Sequence, residues 1–238
     1  ELMEAQKLAF GVFSSVVATR NGAAMAASGL DFVIVDLEHS PFDLSKLEGY
    51  LLGMINKAEI LKKGNLQPSV APFIRVPAAG REQLQFVIKQ VLDLGPMGIV
   101  VPHVDTELEA KRIADHCRFP PIGHRSMGGG LQQIGFASMP VGEASRIVNE
   151  ETLVVVMLES PKGIENCEAI AATQGIDALL IGTNDLCFEM GIPGQFHDAR
   201  FLEALHLVPE TARKHGKLAG IQPGTREQAE AWIAAGYN

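Results

Sequence analysis

Glu159 and Asp185 are the first residues whose types and positions invite chemistry. Each follows a short apolar run, Glu159 in "VMLESP" and Asp185 in "IGTNDL". If those runs are neighbouring strands, the two carboxylates share one space, and they repel unless a proton or a cation lies between them. Oxygen ligands with no cysteine nearby favour a hard ion, Mg²⁺ first, with Mn²⁺ or Co²⁺ as alternatives. Either acid could instead cap the helix that follows it, since helix N-termini attract negative charge. Earlier in the chain, "VIVDLEHSP" ends an apolar run in Asp36, Glu38 and His39. An acid three residues before a histidine can orient its imidazole for proton transfer. Arg75 stands between Ile74 and Val76. Buried there it needs an anion, which is a substrate carboxylate, a developing enolate, or a salt bridge to Asp36 or Glu38. His103 in "VVPHVDT" faces a substrate or fills the barrel mouth, and Arg125 in "GHRSMGGG" binds an anion or pins its own loop.

These residues need a frame that brings distant positions to one rim. Seven apolar runs are read as strands: 8–16, 31–39, 70–77, 97–104, 152–160, 177–185 and 217–224. They are nearly continuous in apolar residues, as parallel strands covered on both faces are. Helical patterns lie between them. In "REQLQFVIKQVLDLG" the residues Leu84, Val87, Ile88, Val91 and Leu92 share one face, and "GIENCEAIAATQG" and "TREQAEAWIAAG" each end at a glycine suited to a helix C-cap. Seven β–α alternations predict a (β/α)8 TIM barrel, as one domain over residues 1–238, with catalytic groups at the C-terminal strand ends. An eighth strand is expected where the chain stops at "AAGYN", so that strand and a final helix are expected outside this chain. A doubly wound sheet is the competing architecture, but the first run is not followed by a G-x-G-x-x-G turn. Residues 120–150 hold no clear strand, and Gly128, Gly129 and Gly130 suggest a mobile loop over the barrel mouth.

Composition narrows the function classes. The 28 acids against 20 bases give a net charge of −8, and the longest basic block is Lys62-Lys63, so no nucleic-acid partner is expected. Three separated cysteines without a C-x-x-C favour a reducing, cytoplasmic setting. No apolar run is long enough to span a membrane. There is no G-x-S-x-G elbow, and no strand ends in lysine, which leaves a serine hydrolase or Schiff-base mechanism without its nucleophile.

Taken together, "FVIVDLEHSP", "IRVP", "GIVVPHV", "FPPIGHRS", "VMLESPKGIENCEAIAA" and "DALLIGTNDL" resemble the HpcH/HpaI aldolases, metal-dependent pyruvate aldolases to which macrophomate synthase is related. The resemblance runs from about residue 10 to the C-terminus. It implies a barrel of the phosphoenolpyruvate/pyruvate type whose last helix is exchanged between subunits of a homo-oligomer, a hexamer or trimer. It implies Glu159 and Asp185 as metal ligands with water completing the sphere, and Arg75 at the keto or enolate oxygen. His39, oriented by Asp36, would move the proton of the aldol hydroxyl. Backbone amides near Thr183-Asn184 and Ile221-Gln222 would hold the pyruvate carboxylate. The implied reaction is cleavage or formation of a 4-hydroxy-2-oxo acid, giving pyruvate and an aldehyde. The alternatives are an oxaloacetate decarboxylase that forms C–C bonds, in the manner of macrophomate synthase, and a non-catalytic barrel that binds an oxo acid. Two departures border the expected mouth. Met157 stands where many members have glutamine, and Gly182-Thr183-Asn184-Asp185 replaces Gly-Pro-Ala-Asp or Gly-Pro-Gly-Asp.

Overall fold

The computed structural model describes residues 7–77, 85–128, 131–135 and 137–238. All seven expected strands form: β1 Gly11–Ser14, β2 Phe32–Asp36, β3 Ala71–Arg75, β4 Gly98–Val101, β5 Leu153–Leu158, β6 Ala178–Ile181 and β7 Leu218–Ile221. They make one parallel sheet in the order β1-β2-β3-β4-β5-β6-β7. Each strand is shorter than its apolar run, because the last residues of the run leave the ladder to form the rim. Sequential order with a helical crossover between strands is the winding of a TIM-like barrel. At the two ends of the sheet, Asn238 exchanges backbone contact with Ala219 (N to O, 3.0 Å) and accepts from Ala9 N at 3.0 Å.

The continuous apolar runs have a simple cause. Residues of one parity, such as Val33, Val35, Ile74, Ile99, Val101, Val154, Val156, Leu179 and Ile181, pack outward against the helices. Residues of the other parity, Ile34, Phe73, Val100, Val155, Met157, Ala178 and Leu180, fill the concave side of the sheet. Period-2 geometry thus buries both faces. The same alternation carries Asp36, Arg75 and Glu159 onto the concave side, at the C-terminal end. Met157 is therefore a packing residue, 3% exposed, one step below the rim.

Helix ends follow local sequence. Asp43, Asn56, Thr106, Ser160 and Thr225 each accept a hydrogen bond from a backbone N–H in the first turn of the helix they precede. Gly236 ends the helix Arg226–Ala235 in the left-handed region, φ 105°, as the glycine there predicts. In Gln85–Asp93, Val87, Ile88, Val91 and Leu92 are buried as expected, while Leu84 lies outside the described residues. "GIENCEAIAATQG" forms two short helices, Pro161–Glu165 and Cys167–Ala171, that meet at Asn166, instead of one. Residues 120–150 contain the start of a helix, Val141–Glu151, and Gly129 and Gly130 lie outside the described residues. No helix among the described residues is long and apolar enough to cross a membrane.

Arg118 secures the end of the sheet opposite the rim. Its guanidinium donates to the carbonyls of Asn149, Thr152 and Gly175 and to Asp177 Oδ2 at 2.6 Å. Asp177 in turn accepts from Val154 N at 2.7 Å. The clamp joins the entry to β5 with the entry to β6, the two strands that carry Glu159 and Asp185 toward the rim. Removing one partner of a buried ion pair leaves the other unsatisfied, so Arg118→Leu should cost about 3–5 kcal/mol in a denaturant titration. A loss below about 1 kcal/mol would mean that the clamp does not hold these strands.

Candidate metal and enolate site

Four strand ends meet at the C-terminal rim. Asp36 and Arg75 are direct register partners on β2 and β3, so their side chains emerge side by side. Arg75 Nε donates to Asp36 Oδ1 at 2.9 Å and Nη2 donates to Oδ2 at 2.8 Å. Arg75 Nη1 lies 3.1 Å from Glu38 Oε2, and the guanidinium carbon stands 4.7 Å from the centre of the Phe13 ring. Of the open readings for Arg75, the salt bridge is the one present, and it is made to both acids at once. Burial alone would raise the Asp36 carboxyl. The Arg75 guanidinium and the backbone N–H groups of Glu38 and His39 outweigh it and hold that carboxyl below the ordinary range. For Glu38 burial wins, and its pKa is raised despite Arg75.

Asp36 therefore does not bond the His39 imidazole among the described residues. It touches His39 through the backbone, accepting from His39 N at 3.3 Å and from Glu38 N at 3.0 Å. The ring instead lies with Nε2 3.6 Å from Glu38 Oε2, and its side chain is 63% exposed at the mouth. Glu38, the acid without a clear place in the sequence, is the link between Arg75, His39 and His103, whose Nε2 lies 3.7 Å from Glu38 Oε1.

Glu159 follows β5 directly and is 1% exposed. Its Oε2 accepts from His103 N at 2.9 Å. Gly182, which follows β6, supports it from the other side: a Cβ there would lie 2.1 Å from Glu159 Oε1, so only glycine admits the carboxylate. Asp185 lies in the first turn of the helix Thr183–Glu189 and not at the strand end, and reaches the site by turning back. Burial, aided by the Asp185 charge, pushes the Glu159 carboxyl up to about 7. One ligand atom each from His103, Glu159 and Asp185 lies within 4.8 Å of the others. His103 Nδ1 is buried without a hydrogen-bond partner among the described residues. Two close carboxyls, that of Glu159 raised by burial and by its neighbour's charge, beside an unpartnered nitrogen, are a donor set that fits a divalent ion.

His103 was the contribution least visible in the sequence. Among the described non-glycine residues it is the one with positive φ, 53°, a conformation few side chains adopt without a reason. Thr183 and Asn184 begin a helix whose N-cap, Gly182, offers no side-chain acceptor, which leaves their N–H groups open at the rim. Ile221 pairs in register with Ile181 at the end of β7, and Gln222 follows it at the same end of the sheet. Arg125 pins its loop: Nη2 donates to Asp93 Oδ1 at 2.9 Å, and the guanidinium stacks 4.5 Å from the Phe119 ring centre, while Nε and Nη1 are buried without a hydrogen-bond partner among the described residues.

Comparison with known proteins gives the family and the fold. A 4-hydroxy-4-methyl-2-oxoglutarate aldolase of Hapsidospora irregularis is 38% identical over 195 residues, 82% of this chain and 67% of that protein. A 5-keto-4-deoxy-D-glucarate aldolase of Citrobacter koseri is 28% identical over 98% of this chain and 84% of its own length. The crystal structure of an HpcH/HpaI aldolase from Desulfitobacterium hafniense shares the fold, with a TM-score of 0.85 at 23% identity over 99% of this chain and 86% of that one. Macrophomate synthase superposes with a TM-score of 0.81 at 26% identity, over 99% of this chain and 78% of its own. The family profile matches residues 10–236, and the chain belongs to the HpcH/HpaI aldolase/citrate lyase family.

Proposed function

We propose that this chain is a divalent-metal-dependent aldolase that cleaves, or in reverse forms, a 4-hydroxy-2-oxo acid, with pyruvate as one product. The observation that carries the reading is the meeting of Glu159, Asp185 and His103 within 4.8 Å, on the rim that also holds Arg75. Glu159 and Asp185 would hold the ion. When bound, a divalent cation supplies the charge that stabilises an enolate as the C–C bond breaks.

The remaining work falls to this chain's own residues. Arg75 has five N–H bonds, and Asp36 and Glu38 engage three of them. One on each Nη stays available for the keto or enolate oxygen, and the bidentate grip of Asp36 fixes their direction. His39, exposed at the mouth and set beside Glu38, takes the proton of the C4 hydroxyl in cleavage and returns it in synthesis. The free N–H groups of Thr183 and Asn184, with the backbone at Ile221 and Gln222, bind the pyruvate carboxylate. The similarity to the Hapsidospora aldolase favours 4-hydroxy-4-methyl-2-oxoglutarate among the candidate substrates, and its retro-aldol cleavage gives two pyruvates. The likeness to macrophomate synthase favours a second reading, decarboxylation of oxaloacetate, which yields the same enolate. Carbon dioxide release from oxaloacetate with no cleavage of any 4-hydroxy-2-oxo acid would select it.

Pyruvate release from a panel of 4-hydroxy-2-oxo acids, with Mg²⁺, Mn²⁺ or Co²⁺ added, tests the main reading. EDTA should abolish turnover, and Glu159→Gln should lower kcat about 10³-fold or more. Turnover that survives both would sink the proposal. Arg75→Lys keeps the charge but loses the fork, and kcat should fall about 10²-fold with KM little changed. Gly182→Ala pushes a methyl group onto Glu159 Oε1. It should weaken the metal affinity measured by calorimetry about tenfold or more, with only a small shift in Tm.

A further inference from the structure

We propose that His103 is a third protein ligand of the divalent ion, so that the site offers one imidazole nitrogen beside two carboxylates. The inference rests on Glu159 and Asp185 holding the ion, and adds to that reading a residue to which the sequence assigned no metal-binding role.

Three independent features of His103 lead there. Its Nδ1 is buried without a hydrogen-bond partner and faces Glu159 Oε2 at 3.8 Å. That spacing is too long for a hydrogen bond. Two donor atoms that each sit about 2.1 Å from one ion stand no more than about 4.2 Å apart, so it is compatible with a shared cation. The backbone is the second feature. A φ of 53° is held where the chain leaves β4, and it lets His103 N–H bond Glu159 Oε2 at 2.9 Å while the ring stays on the same side. The third is Nε2, 3.7 Å from Glu38 Oε1. A ligating imidazole usually gives its second N–H to a carboxylate, which fixes the ring and its tautomer. Glu38 is the carboxylate on that side of the ring, at 3.7 Å still beyond hydrogen-bond reach, and its other oxygen is engaged by Arg75.

The chemical consequence is a shift in metal preference. Carboxylates alone suit Mg²⁺, whereas a nitrogen donor raises the affinity for Mn²⁺ and still more for Co²⁺. Glu38 also lies between the His103 ring and Arg75, which places one carboxylate beside both.

The test uses the full chain, stripped with chelator and loaded with one equivalent of Mn²⁺. Electron spin-echo modulation should show a ¹⁴N coupling of a directly bound imidazole. It should vanish in His103→Asn, a residue that tolerates the left-handed backbone, and in His103→Gly as a second variant that accepts the same φ. It should persist in His39→Gln. Calorimetry on His103→Asn should show Co²⁺ affinity reduced about tenfold or more, with Mg²⁺ affinity nearly unchanged. Mn²⁺ that binds with no ¹⁴N coupling, or a coupling that survives both His103 variants, overturns the assignment and leaves the carboxylate pair standing. Failure of the wild-type protein to bind Mn²⁺, or equal binding by Glu159→Gln, overturns the assignment together with the reading beneath it.

Discussion

The rest of the site depends on one constraint, the burial of a carboxylate at Glu159. An ionised group with 1% exposure must be matched by positive charge and hydrogen bonds, or it takes up a proton. Among the described residues Glu159 accepts one backbone N–H, from His103, has a second acid nearby, and feels Arg75 and His39 only at a distance. Its pKa stays raised all the same. The surroundings are therefore incomplete without a cation, and the neighbours fit that requirement. Gly182 has no side chain because Oε1 occupies the space, and His103 accepts an unusual backbone conformation.

Arg75 poses the opposite problem and solves it internally. A guanidinium 9% exposed is matched by two acids from the preceding strand and its loop. Asp36 does so with ideal bidentate geometry and stays ionised, while Glu38 is a looser partner whose burial raises its pKa. The difference gives the two acids different tasks. Asp36 fixes the direction of Arg75. Glu38 has an oxygen to spare, and it is the one that reaches toward both histidines. The four strand ends β2 to β5 are thus tied into one network, and disturbing Glu38 would be felt at Arg75 and His103 together.

Much of this was legible in the sequence because burial on both faces leaves a strong mark. The runs around Val12, Val33, Ile74, Val100, Val155, Leu180 and Ala219 located all seven strands. The acids at their ends could be picked out because charge directly after such a run is costly without a purpose. What could not be read were the features set by dihedral angles and by side-chain direction. The part played by His103 depends on a positive φ that its neighbours in "VPHV" do not announce. Asp36 and His39 are three residues apart and look like a pair, yet cross-strand register gives Asp36 to Arg75 and leaves the imidazole to Glu38. The helix Val141–Glu151 was missed for another reason: its glycine-rich approach hides a short amphipathic pattern behind turn residues.

Register also explains why the second acid stands at Asp185 and not at the strand end. Leu158 pairs with Ile181, so Glu159 and Gly182 are the next step on adjacent strands and compete for one volume. An acid at 182 would collide with Glu159, because even a Cβ there lies 2.1 Å from its oxygen. A second ligand must approach from another direction. The chain turns into a helix at Thr183, and one residue in its first turn points back over the rim, as Asp185 does. At that position the carboxylate lies in the first turn of its own helix, at the end that favours negative charge. The same turn leaves the N–H groups of Thr183 and Asn184 unbonded within the helix, so a single short segment can offer both a metal ligand and donors for a carboxylate. Replacing the proline common at this turn with Thr183 retains that geometry, because the residue needs only to start the helix.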